Sequence, residues 1–153
     1  MGVRTTGLTK ADVKVDGFDM SINIYADDQI FGMSKVIFYE GKKGASLESG
    51  KFPEAVPIKS FWLRSTSKTL KDQGKFVPGA TTHSLLAGHD FNDTFDFISE
   101  ILTKRSMRLG LNFADSGKNM AYLAKMNIAN EELLEVSQCF VGIGEKLQAE
   151  IAE

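Results

Sequence analysis

Two histidines and two aspartates lie close together in the chain, where they could bind a metal ion or a small substrate: His83, His89, Asp90 and Asp93. Imidazole and carboxylate groups are ligands for first-row divalent metals. Their spacing matches none of the helix-borne zinc motifs. Asp90 is equally suited to cap a helix that begins at residue 91, with both histidines in the segment that leads into it. We therefore keep the metal site as an alternative and predict no cofactor.

Ser84 adds a hydroxyl that could act as a nucleophile, with His89 as its base and a carboxylate to orient the imidazole. The Gly-x-Ser-x-Gly elbow that often carries such a serine is absent. The segment Gly41-Lys42-Lys43-Gly44 does not complete a phosphate-binding loop either. Because no catalytic motif is complete, the sequence favours a protein that is not an enzyme. The alternative is a small hydrolase or ligand-binding protein with a site around His83, His89 and Asp90.

A second group of residues is suited to binding another macromolecule. Residues 40–76 carry eight Lys or Arg against four Asp or Glu, whereas residues 127–153 carry one Lys against six Glu. Trp62 and Arg64 lie on a predicted strand in the basic segment, and both residue types are enriched at interface hot spots. With Lys68 and Lys71, they are the candidate partner-binding residues. In the alternative interpretation, Trp62 is buried under the following loop with its indole N–H hydrogen-bonded.

The charge pattern favours an acidic protein as the partner. The net charge is −2 and the pI is 5.7, far below the range of most nucleic-acid-binding domains. Local charge asymmetry, by contrast, can steer association between proteins. The sequence thus predicts a protein-binding module, such as an inhibitor, an immunity-type partner or an accessory subunit, that acts by covering a partner's surface. A homo-oligomer assembled through exposed strand edges is a third alternative.

The spacing of apolar residues changes halfway along the chain, from the alternation of strands to the three- and four-residue spacing of helices. Alternation of apolar and polar residues predicts strands over 13–26 and 33–40, followed by a third over 58–65. Residues 66–80 are polar and contain glycine and proline, so they predict a long mobile loop.

The second half of the chain predicts two amphipathic helices, over 91–104 and 131–151, with Asp90 and Asn130 as their N-caps. A strand over 107–113 lies between them. Residues 119–128 form either the second strand of a hairpin or a short helix, because alanine, leucine, lysine and methionine favour helices. Cys139 falls on the apolar stripe of the last helix and is predicted to be buried.

These elements predict a single α+β domain over residues 1–153, in the order βββ-αββ-α. Its mainly antiparallel sheet of about five strands carries two helices on one face. The length of 153 residues suits one domain. No window of about 18 apolar residues predicts a membrane span. The N-terminus lacks a secretory signal, which favours the cytoplasm unless an export signal has been trimmed.

Overall fold

The computed structural model describes residues 2–11, 14–26, 30–40, 54–70, 76–126 and 128–151, and within them the chain forms ten strands and two helices. The strands are β1 (Gly2–Ala11), β2 (Lys14–Ala26), β3 (Ile30–Glu40), β4 (Glu54–Val56), β5 (Ile58–Arg64), β6 (Thr69–Leu70), β7 (Val77–Pro78), β8 (Leu85–His89), β9 (Ser106–Phe113) and β10 (Asn119–Lys125). The helices are α1 (Phe91–Lys104) and α2 (Asn130–Ile151). The predicted α+β class is confirmed.

The strands form two antiparallel sheets instead of the one predicted. The six-stranded sheet has the order β1-β2-β3-β8-β7, with β4 also paired to β3. The four-stranded sheet has the order β10-β9-β5-β6. Alternation along a strand decides which side chains share a face, but it does not decide which strand lies alongside. For this reason the sequence pattern could predict the strands without predicting their division between two sheets.

The two sheets pack against each other through aromatic side chains. The ring of Phe38 on β3 lies 5.0 Å from Phe113 on β9 and 5.7 Å from Tyr122 on β10, measured between centroids. Helix α1 adds Phe97 and Ile101, both fully buried, to the same cluster. The inner faces of both sheets and one side of α1 therefore enclose one continuous apolar core, which leaves the other face of each sheet outside it.

Helix α1 has the predicted bounds, and its predicted N-cap is confirmed: the Asp90 carboxylate accepts hydrogen bonds from the first-turn amides. Helix α2 packs against the core through the half-buried Leu133 and Val136. The predicted burial of Cys139 is wrong, because its side chain is exposed. At 3.6 residues per turn, Cys139 is rotated by about 120° from Leu133 and falls outside the packed stripe. Neither helix, over the residues described, has the length and hydropathy needed to cross a bilayer.

Two segments predicted to be irregular contain strands. Within the expected 66–80 loop, β6 pairs with β5 and β7 pairs with β8, while residues 71–75 lie outside the described residues. The segment expected to lead into α1 is the strand β8, which pairs with β3 over five residues. A strand of five residues that includes glycine and histidine gives only a weak alternating pattern. Residues 119–125, for which two structures were predicted, form a strand in register with β9.

Candidate protein interface

The outer face of the four-stranded sheet carries two of the residues predicted to bind a partner. Trp62 and Arg64 alternate with the buried Leu63 along β5, so both side chains point away from the core. The neighbouring strands β9 and β10 continue this face in register. We call the resulting surface the Trp62 face, and it consists of two rows: Trp62, Gly110 and Ala121, then Arg64, Arg108 and Leu123.

The indole ring of Trp62 lies across β9 at Gly110. A Cβ atom added to Gly110 would overlap Cε2 and Nε1 of the indole, so the glycine leaves the space that the ring occupies. An aromatic side chain that covers a glycine on the neighbouring strand is a common device in sheets. Trp62 nevertheless stays 37% exposed and is not buried under a loop. The ring is thus held in one orientation while part of its surface faces solvent.

Arg64 and Arg108 lie side by side on β5 and β9, and both are exposed. Among the described residues, no carboxylate lies within ion-pair distance of either guanidinium. Apart from these two arginines, the rows contain only apolar residues and glycine, so the Trp62 face is positively charged. Leu123 on β10 adds a leucine side chain that is 59% exposed beside Arg108. Exposed apolar and cationic groups therefore share one surface.

Of the two predicted lysines, Lys68 does not join this surface in the structure. The Nζ atom of Lys68 lies 2.8 Å from Oδ2 of Asp96 on α1, and this ion pair raises the pKa of Lys68. The ammonium group is thereby directed to the helix and its charge is compensated. Lys71 lies outside the described residues. Next to Arg64, a second positive charge comes from Arg108, which was not among the predicted binding residues.

Glu100 on α1 holds the turn that follows β5. Its carboxylate accepts hydrogen bonds from Ser65 Oγ at 2.5 Å, from Ser67 Oγ at 2.8 Å and from the Ser67 amide at 2.9 Å. These donors, with the Ser65 hydroxyl first, lower the pKa of Glu100. Since the turn begins immediately after Arg64, Glu100 fixes the end of the strand that carries the Trp62 face.

We expect Glu100→Gln to destabilise the protein at neutral pH, with a difference from wild type that disappears in acid. The folded-state pKa of Glu100 is below its unfolded value, so the ionised form stabilises the fold above that unfolded value. This stabilisation is lost as the pH falls below the unfolded value and through the folded pKa. Urea unfolding of both proteins measures the difference in the free energy of unfolding from about pH 7 to about pH 3, the range in which carboxyl groups titrate.

The matched variant is Ser67→Ala, which removes one hydroxyl donor and leaves the carboxylate in place. On its own, Ser67→Ala should reproduce part of the pH-dependent loss of stability. Added to Glu100→Gln in a double variant, it should cause little further loss. A constant difference between Glu100→Gln and wild type across this pH range would show that the carboxylate charge is not responsible.

The four residues of the alternative metal site have separate roles in the structure. His83 is exposed in a turn with φ of 58°, and His89 is buried on β8. Asp90 caps α1, and Asp93 is exposed in its first turn. Within the described part of the chain, no three His, Cys, Asp or Glu side chains are grouped so that they could hold a metal ion. The geometry therefore does not bring these four side chains together as a ligand set.

His89 contacts a serine, but not the one that the sequence suggested. Its Nε2 atom lies 2.6 Å from Oγ of Ser34 on β3, whereas Ser84 Oγ donates to the carbonyl of Thr81. His89 is 2% exposed and Ser34 is fully buried. A serine–histidine pair enclosed in this way is out of contact with solvent, so it is suited to joining β3 to β8 and not to attacking a substrate.

Sequence reasoning missed Arg108, Gly110, Leu123 and Ser34. The first three lie in the segments 107–113 and 119–128, for which a hairpin was one prediction, and alternation within a hairpin indicates which face they occupy. The pairing that places β9 beside β5 could not be predicted from the sequence. Ser34 gave no signal, because its partner His89 is 55 residues away in the chain.

In comparisons of this chain with protein-family models, with curated proteins and with solved structures, no match was found.

Proposed function

We propose that this protein is a protein-binding module that covers an acidic surface of a partner protein with its Trp62 face. The observation that carries the proposal is the exposed indole of Trp62, held over Gly110 next to two arginines. Tryptophan and arginine are over-represented among the residues that contribute most to binding energy. A ring that is already fixed in place also loses little conformational entropy when a partner covers it.

The charges favour an acidic partner. Two neighbouring guanidinium groups without a compensating carboxylate among the described residues repel each other weakly in water. A carboxylate placed between them relieves this repulsion and accepts hydrogen bonds from both. The apolar side chains of Trp62 and Leu123 flank the arginines, so contact there excludes water and strengthens the charged interaction. A partner surface with one or two carboxylates next to an apolar side chain fits this arrangement.

The experiment is affinity capture from a lysate of the cells that produce the protein, with the wild type, Arg64→Glu and Lys104→Glu as baits. Lys104→Glu makes the same change of charge in the last turn of α1, outside the two rows of the Trp62 face. We expect the wild type and Lys104→Glu to retain a stoichiometric partner that is released by salt. Arg64→Glu should bind it at least about tenfold more weakly, as is usual for a hot-spot arginine.

Trp62 provides a second measurement, since it is the only tryptophan in the chain. Addition of the purified partner should shift its fluorescence to shorter wavelength and protect it from quenching by acrylamide. Equal capture by the wild type and Arg64→Glu, together with an unchanged Trp62 emission, would overturn the proposal.

A further inference from the structure

Strand β10 forms one edge of the four-stranded sheet, and the hairpin hydrogen bonds show which of its backbone groups face outward. The Phe113 amide donates to the Lys118 carbonyl, and the Met126 amide donates to the Arg105 carbonyl. Paired and unpaired positions alternate in an antiparallel ladder. Even-numbered residues of β10 therefore bond to β9, and Ala121 and Leu123 direct their N–H and C=O groups away from the sheet. No described residue bonds to these outward groups.

The side chains of β10 lack most of the features that protect edge strands from further pairing. The strand contains no proline, and its register with β9 is continuous. Ala121 and Leu123 are exposed on the Trp62 face, and Leu123 is 59% exposed. Charge is present only towards the ends of the edge, at Lys118 and Lys125, and both lysines are exposed. The opposite edge of this sheet, β6, has only two residues.

We infer that the partner binds by adding an extended, acidic strand to β10. This inference rests on the proposed function, because it specifies how the acidic partner contacts the Trp62 face. Hydrogen bonds from the new strand to Ala121 and Leu123 supply affinity, while alternate side chains supply specificity. Apolar residues at the centre of the added strand contact Ala121 and Leu123. Carboxylates near its ends lie close to Lys118 and Lys125.

Charge favours such a strand over a second copy of this chain. The segment 118–125 contains two lysines and no acidic residue. Pairing β10 with its own copy would bring four ammonium groups to one edge without a carboxylate between them, and like charges across a ladder are destabilising. An acidic strand compensates the same groups. The added strand also widens the sheet beyond β10, and one of its faces continues the Trp62 face. Strand addition thus enlarges that binding surface and does not create a separate one.

The test uses a blocked heptapeptide of sequence ETVTVTE, with KTVTVTK as the control peptide. Each is titrated into the full-length 15N-labelled protein and followed by amide chemical shifts and amide hydrogen exchange. Two variants at one position isolate the backbone: Leu123→Thr and Leu123→Pro both remove the leucine side chain, but only the proline removes the outward N–H. Circular dichroism and Trp62 fluorescence establish that both variants fold.

We expect ETVTVTE to shift and protect the amides of Ala121 and Leu123 in the wild type. It should still bind Leu123→Thr, though more weakly, because the leucine contact is lost while the outward N–H remains. Binding to Leu123→Pro should be about tenfold weaker or lost, because a hydrogen bond is missing and the proline ring obstructs the edge. KTVTVTK should bind none of them. Equal binding of ETVTVTE to Leu123→Pro and Leu123→Thr, or no binding to the wild type, would overturn strand addition.

The two proposals fail in different ways. A partner that requires Arg64 but is captured equally by Leu123→Pro and Leu123→Thr would leave the proposed function intact and exclude strand addition. If the peptide binds at β10 but the wild type and Arg64→Glu capture the partner equally, only the proposed function is excluded. A wild-type dimer in sedimentation that Leu123→Pro disrupts would identify a second copy as the occupant and overturn the acidic strand.

Discussion

Replacing Gly32 by alanine is expected to destabilise the protein by about 3 kcal/mol, within the upper range for overpacking of a buried site. Gly32 lies on β3 where the strand passes beneath α1. An added Cβ would overlap Oγ1 of Thr94 and would lie 2.6 Å from its Cβ. Thr94 has little freedom to move, since it is fully buried and its hydroxyl donates to the Asp90 carbonyl at 2.7 Å. Either the helix or the strand must therefore shift.

Gly88→Ala is the matched control for this variant. Gly88 lies on the adjacent strand β8, and a Cβ there has no neighbouring heavy atom within 4 Å. Gly88→Ala should change the free energy of unfolding by no more than about 0.5 kcal/mol. Alanine reduces the conformational freedom of the unfolded chain, and this offsets a small loss of stability in the folded state. Chemical denaturation of the three proteins gives the comparison. Similar losses for both alanines would mean that contact between Gly32 and Thr94 does not limit the packing of α1.

The second large effect is expected from Ser34→Ala, which removes the hydroxyl next to the buried Nε2 of His89. A buried polar atom that loses its partner costs about 1–3 kcal/mol, more than the net value of an average hydrogen bond. His89→Phe should cost less in the Ser34→Ala background than in the wild type, because the contact between the two residues is already lost there. The double-mutant cycle of Ser34→Ala and His89→Phe, measured by denaturant unfolding, isolates the coupling between the two residues.

Ser60→Ala serves as the control for loss of a serine hydroxyl on a strand. Ser60 accepts a hydrogen bond from Asn112 Nδ2 at 2.5 Å, but it is only half-buried on the outer face of β5. Water can replace the lost partner there, so we expect a loss below about 1 kcal/mol. If the losses of stability in the Ser34–His89 cycle are additive, the two residues are not coupled. An equal loss of stability for Ser60→Ala and Ser34→Ala would mean that burial of the hydroxyl does not matter.

The sequence predicted those parts of the fold that depend on local pattern. Helix α1 followed from apolar residues at three- and four-residue spacing and from Asp90 as a cap, and both are present. The β9–β10 hairpin, one of the two structures predicted for residues 119–128, followed from alternation on either side of a polar turn. Each of these signals lies within about twenty residues, the range over which hydrophobic periodicity operates.

The parts that were missed depend on contacts between distant segments. The sequence could not show that β8 pairs with β3, or that β9 separates β5 from β10, because alternation is the same for any neighbour. For the candidate site, composition identified Trp62 and Arg64, but only the register added Arg108. Lys68 was selected for its charge, and its ion pair with Asp96 depends on where α1 packs. The function itself remains a prediction.

The pairing of β3 with β8 also orders events during synthesis of the chain. The meander of β1, β2 and β3 joins neighbouring segments, so it can assemble as soon as residue 40 has left the ribosome. Between β3 and β8 the chain runs through β5, which belongs to the other sheet, before it returns. Closing so long an excursion costs more conformational entropy than closing a hairpin. Until β8 arrives, one side of β3 has no strand beside it over Gly32 to Val36, and a nascent chain at this stage is open to pairing with the wrong strand.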